Sequence, residues 1–131
     1  MQMKLLKFIS FFFSILLISC VSDERKDNLV YVFENEFFIL KKECVSKINL
    51  TKSEVEEKLT MWITLKKNNF CSDRFNLLIN SNVGGYMQLF FNEKILLDST
   101  YIATEFDTSK SYAFSIKSKL IGFEILKAYN K

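Results

Sequence analysis

Short apolar runs that alternate in and out, separated by turn residues, constrain this chain more than any other feature. Met87, Leu89 and Phe91 recur at every second position, Asn92-Glu93-Lys94 supplies a turn, and Ile95 to Leu97 return. Tyr101 to Phe106 read as a further strand, followed by a turn at Asp107 to Lys110. Tyr112, Phe114 and Ile116 then alternate with Ala113, Ser115 and Lys117. Phe75, Leu77 and Ile79 share the same period, as do Ile121, Phe123 and Ile125, so both runs are expected as strands. Between them Ser81 to Gly85 break the pattern, with Gly84 and Gly85 free to take positive φ. Upstream, Val30 to Phe33 and Phe37 to Leu40 flank Glu34-Asn35-Glu36, a first hairpin. About nine short strands at this spacing predict a mainly β domain, an antiparallel sandwich or barrel-like fold with at most one short helix. No helix-length pattern separates the strands, which excludes parallel βαβ units.

Residues 51–66 satisfy two periodicities. Thr51 and Glu54 have capping-box spacing, and Val55, Leu59, Trp62 and Ile63 share a helical face. Leu59, Met61, Ile63 and Leu65 also alternate with Thr60, Trp62, Thr64 and Lys66. Met61 and Leu65 would widen a helix's apolar arc beyond a half-circle, and Thr60, Ile63 and Thr64 are weak helix formers. The expectation is a strand at 59–66 after a helical turn or two at 51–57. The alternative is an α+β fold with a helix over 51–66.

The first twenty residues have a different texture. Lys4 and Lys7 precede an apolar run of eleven residues, Phe8 to Ile18, and Ser19 and Cys20 follow. Behind them stands the charged cluster Asp23 to Asp27. A basic start, a short apolar core and a small residue form the pattern of an export signal. The run is shorter than the roughly 20 residues a spanning helix needs. Leu17-Ile18-Ser19-Cys20 resembles the lipobox of bacterial lipoproteins, which signal peptidase II processes. That resemblance implies a signal peptide at 1–19, a lipidated Cys20 as first mature residue, a tether at 20–28 and one β-rich domain at 29–131. An ordinary signal, or a membrane anchor that happens to end in Cys, is the alternative. Val21 rather than Asp follows the cysteine. By the same resemblance, the address is the outer membrane, facing the periplasm.

Loss of residues 1–19 would leave 112, enough for one ordinary domain. Lys4 and Lys7 would leave with them, so sixteen basic side chains would face fifteen acidic ones. That balance gives no support for nucleic-acid binding. Cys44 and Cys71 remain as a pair, and in an exported protein an even remainder reads as a disulfide. Two free buried thiols are the competing reading. A metal site on these cysteines lacks partners, because the chain has no His.

The same lack removes Ser-His and Cys-His nucleophile pairs and any imidazole acid or base. Glu34/Glu36 and Glu105/Asp107 have the spacing that places two carboxylates on one strand face. Alternate charges on a strand are more commonly a solvated face than a glycosidase pair. No catalytic residue, cofactor or metal is expected, and the chain is not read as an enzyme. Trp62, Tyr86 and Tyr101 point outward on the strand register and are the candidate protein-partner surface, unless they pack a second core face.

In length, lipobox, cysteine pair and the late Tyr112–Phe114 strand, the chain resembles small two-cysteine periplasmic lipoproteins regarded as type VI secretion immunity proteins. The resemblance implies a lipid-anchored protein that binds and neutralises a secreted toxin or hydrolase, with membrane contact through its N-terminal lipid. A structural or assembly lipoprotein of an envelope machine is the alternative, and a small carboxylate hydrolase is a third reading.

Overall fold

The computed structural model describes residues 23–54 and 58–130. Seven strands there build two antiparallel sheets arranged as an open sandwich, so the fold is mainly β. The four-stranded sheet has the order β2-β1-β5-β6, from β1 (Leu29–Val32), β2 (Phe37–Leu40), β5 (Tyr86–Phe91) and β6 (Lys94–Tyr101). The three-stranded sheet has the order β3-β4-β7, from β3 (Val45–Lys52), β4 (Leu59–Leu65) and β7 (Tyr112–Ile116). The expected hairpin at Glu34 to Glu36 is present, with Val32 opposite Phe37 and the Phe33 amide donating to the Glu36 carbonyl at 2.8 Å.

β4 is the strand read from its alternation. Met61, Ile63 and Leu65 are buried while Trp62 faces solvent. The helical turn expected at 51–57 is corrected in part: Thr51 and Lys52 end β3, opposite Thr60 and Leu59, and residues 55–57 lie outside those described. β3 itself escaped the reading, because only Val45, Ile48 and Leu50 pack against the core and the rest of the strand is exposed and polar.

Two runs expected as strands are helices: α1 (Ser72–Ser81) and α2 (Lys119–Tyr129). In α1, Phe75, Leu78 and Ile79 are buried while Leu77 is exposed, so the face follows i, i+3, i+4 and not i, i+2. In α2, Ser118 caps the start, its hydroxyl accepting from the Ile121 amide at 3.3 Å. Gly122, Ile125, Ala128 and Tyr129 are buried there, and Phe123 is exposed. A Cβ on Gly122 would stand 3.0 Å from a methyl of Leu50, so glycine lets α2 lie close against β3. The strand expected at Tyr101 to Phe106 is also corrected. β6 runs unbroken to Tyr101, and the chain from Ile102 to Ser111 is an irregular connection to β7.

The core lies between the sheets. Phe75 sits at its centre, 4.5 Å from the Tyr31 ring, stacked at 4.7 Å on Phe38 and edge-on to Tyr112 at 6.1 Å. α2 packs on the three-stranded sheet and reaches two strands of the other sheet through a single oxygen. The Tyr129 hydroxyl accepts from the Leu29 amide at 2.7 Å and donates to the Leu40 carbonyl at 2.6 Å. Leu29 and Leu40 stand opposite each other in the β1–β2 ladder, so the hydroxyl bridges the strands at their fully buried end. Burial pushes the Tyr129 phenol well above its ordinary value, which keeps the bridge protonated.

Cys44 and Cys71 form a disulfide with Cα atoms 5.1 Å apart. Residues 23–28, the described part of the expected tether, turn against the four-stranded sheet. The Asp27 amide donates to Asn92 Oδ1 at 2.7 Å, and the Arg25 guanidinium lies 4.8 Å from the centre of the Phe37 ring. Cys20 and residues 1–19 lie outside the described residues. Among those described, no helix is long and apolar enough to cross a membrane.

Candidate functional site: an apolar groove between two strand edges

Each sheet ends in a strand with a neighbour on one side only among the described residues, and two of these edges, β6 and β7, come together. Between them lies a groove of about 250 Å³. Leu97 and Tyr101 of β6 form one wall, Phe114 of β7 the other, and Tyr31, Phe75 and Tyr112 the floor. Phe106, from the connection that follows β6, rests edge-on against Tyr112 at 5.8 Å.

That connection is pinned to α1 by one side chain. Asn76 Oδ1 accepts from both the amide and the hydroxyl of Thr108, at 2.8 and 2.9 Å, and its Nδ2 donates to Asp107 at 3.3 Å. Thr108 is fully buried, so these bonds fix the backbone two residues beyond Phe106. Asp107 is turned away from the groove's chemistry. Its carboxylate accepts from the hydroxyl and amide of Ser109, and these two bonds hold its pKa below the ordinary value.

The lining is mostly apolar, with Thr100, Thr104 and a pair of tyrosine hydroxyls as its polar groups. The Tyr31 and Tyr112 hydroxyls lie 2.8 Å apart. Burial, with the neighbouring Tyr112 next in importance, drives Tyr31 well above the ordinary phenol range. Burial also raises Tyr112, against a lowering hydrogen bond from Tyr31. Both are neutral at physiological pH. One hydroxyl donates to the other, and the second keeps a proton to offer. The arrangement can hold an apolar side chain over this buried hydroxyl pair.

The sequence-expected surface residues divide. Tyr86 and Tyr101 are opposite each other in the β5–β6 ladder, their rings 5.6 Å apart, and are 61% and 56% exposed; Tyr101 lines the groove and Tyr86 packs against it from the neighbouring strand. Trp62 is 41% exposed on the outer face of the other sheet, its ring N–H donating to Thr51 at 3.0 Å. It faces Ala113 across the β4–β7 ladder, and Ala113 reaches the groove, so Trp62 stands one strand away from it. The carboxylate pairs do not form a strand face. Glu34 and Glu36 sit in the β1–β2 turn, and Glu105 and Asp107 in the irregular connection. Sequence reasoning missed Phe106, Tyr31 and Tyr112. The exposed Phe106 among polar neighbours was the one available signal. No protein-family model, no curated protein and no solved structure matches this chain.

Proposed function

We propose that this chain is a lipid-anchored envelope protein that binds and neutralises a secreted toxin or hydrolase, and that it does so by holding an extended segment of that protein in the β6–β7 groove. The observation that carries the reading is the apolar groove rimmed by exposed aromatics and flanked by two edge strands. Edge strands offer unpaired backbone groups to an added strand, and an adjoining pocket selects its side chains. Rigid aromatics at a rim supply much of the contact energy in such interfaces. Binding of this kind needs no catalytic group, which accords with a chain that has no His. Cys20 supplies the anchor in this reading.

The test is capture of the partner from detergent-solubilised envelopes with the full chain, followed by titration of single variants. Tyr101→Ala should weaken binding by about 2 kcal/mol while the melting temperature holds, and Trp62→Ala, on the outer face of the other sheet, tests whether the interface extends beyond the groove. Unchanged affinity for Tyr101→Ala in a folded protein would remove the groove from the interface. Loss of neutralisation on substituting Glu34, Glu36, Glu105 or Asp107, with binding intact, would favour a catalytic carboxylate instead. Cys20→Ala should leave an unprocessed precursor without lipid label, and labelled variant protein would refute the anchor.

A further inference from the structure

The disulfide gathers two basic segments around one exposed ring. Lys41 and Lys42 precede Cys44, and Lys66 and Lys67 precede Phe70 and Cys71. The Cys44 amide donates to the Lys41 carbonyl at 3.0 Å, and the Lys66 amide to the Cys44 carbonyl at 2.8 Å. All four lysines are exposed; the acids beside them are Glu43 and, in the first turn of α1, Asp73. Phe70 is 84% exposed, more than any other large apolar residue described. It is held there: Asn68 Oδ1 accepts from the Phe70 amide at 3.0 Å and from the Cys71 amide at 2.9 Å.

This end of the domain is also where the chain from Cys20 enters. Leu29 opens β1 opposite Leu40, so the incoming strand lies one strand spacing, about 4.8 Å, from the residue before Lys41. Asp27 is tied to the β5–β6 turn at the same end. Two residues stand between Cys20 and Asp23, three Cα steps with a reach of about 10 Å at most. A lipid on Cys20 therefore keeps the entry of β1, and the Leu40–Lys41 backbone beside it, within a short tether of the headgroup layer.

We infer that the disulfide end is a membrane-contact face, with Phe70 seated among the headgroups of an anionic bilayer and Lys41, Lys42, Lys66 and Lys67 against lipid phosphates. Clustered lysines gain from a negative membrane surface, and a ring at their centre adds apolar burial that charge alone does not supply. The opposite end of the three-stranded sheet, at Lys52 and Lys117, then points away from the bilayer. The orientation of this face toward the bilayer rests on the reading of Cys20 as an anchor; its own affinity for anionic lipid does not, and neither depends on what the groove holds.

Trp62 is the one tryptophan of the chain. In a Trp62→Phe background, Phe70→Trp places a single reporter on the face. The full chain is reconstituted into vesicles containing phosphatidylglycerol or into phosphatidylcholine vesicles, with flotation measured separately. With phosphatidylglycerol, the emission should shift to the blue and be quenched by lipids brominated high on the acyl chain. Lys→Gln at all four lysines should reduce that quenching roughly tenfold. In the unmodified protein the same vesicles should protect Lys66 and Lys67, but not Lys52 and Lys117, from acetylation. Flotation with phosphatidylcholine reports the anchor alone. Quenching and protection without such flotation would refute the anchor and leave the face standing. Emission of a water-exposed indole on phosphatidylglycerol vesicles, with all lysines equally reactive, would overturn the inference, whether or not the protein floats.

Discussion

Tyr129→Phe isolates one oxygen whose work the fold makes measurable. The hydroxyl satisfies the Leu29 amide and the Leu40 carbonyl at once, at a position where both residues are fully buried. The ring remains in the variant, so α2 keeps its packing and only the bridge is lost. A buried backbone group deprived of its partner costs about 1–3 kcal/mol, and two are affected. Leu29 and Leu40 stand opposite each other and can close part of the gap by bonding directly, so the expected net loss is about 3 kcal/mol. For a domain of this size that lowers the melting temperature by about 10–15 °C. Urea unfolding should show a lower midpoint at unchanged slope, and the Leu29 amide should exchange faster. Tyr86→Phe, which removes an exposed hydroxyl, is the control. A loss below about 0.5 kcal/mol, with Leu29 still protected, would show that the strands satisfy each other without Tyr129 and would refute the bridge.

Replacing Cys44 and Cys71 together by Ala should cost about 3.5 kcal/mol in the chain-entropy model, read by chemical denaturation against the oxidised protein. Asn92 and Glu93 make a two-residue turn between Phe91 and Lys94 with φ of 46° and 69°, a conformation that suits Asn-Gly. Glu93→Gly should therefore stabilise by about 1 kcal/mol, and destabilisation on thermal unfolding would contradict the turn assignment. Tyr31, Tyr112 and Tyr129 are all raised above 10.0 in the fold, so the unfolded chain loses these protons first. The contribution of these phenols to stability should be level below pH 10 and then fall by up to about 4 kcal/mol per pH unit, and Tyr31→Phe should make the fall shallower.

The sequence carried the strand pattern wherever one face meets the core and the other meets water. Met61, Ile63 and Leu65 against Trp62, and Tyr112, Phe114 and Ile116 against Ala113 and Ser115, are legible for that reason. At Phe75, Leu77 and Ile79 a period of two coexists with Phe75, Leu78 and Ile79 at helical spacing. The choice between them is made by Tyr31, Phe38 and Tyr112, which surround Phe75 from distant parts of the chain. At 119–129 the Ser118 cap and the small residues Gly122 and Ala128 were local signals of a helix, and the alternation of Ile121, Phe123 and Ile125 obscured them. The disulfide was legible from cysteine parity. The groove was not, since Tyr31 and Tyr112 meet across 81 positions and Phe106 is placed by Asn76, 32 positions before Thr108. Tyr86 and Tyr101 were recognised as outward residues, but the contact between their rings depends on the β5–β6 register.

The Cys44–Cys71 bond makes a covalent ring that encloses β3 and β4 and leaves β5, β6, β7 and α2 outside it. A protease that cuts once between residues 45 and 70 therefore yields two chains that still travel as one, separating on a gel after reduction. A cut in the Ile102 to Ser111 connection has no such protection. It severs the wall of the groove and leaves β7 and α2 joined to the rest by packing and hydrogen bonds alone, Tyr129 included. The molecule is thus unequal in its tolerance of damage: a nick in the ringed hairpin leaves its pieces joined, while a nick beside the groove creates a fragment that can leave.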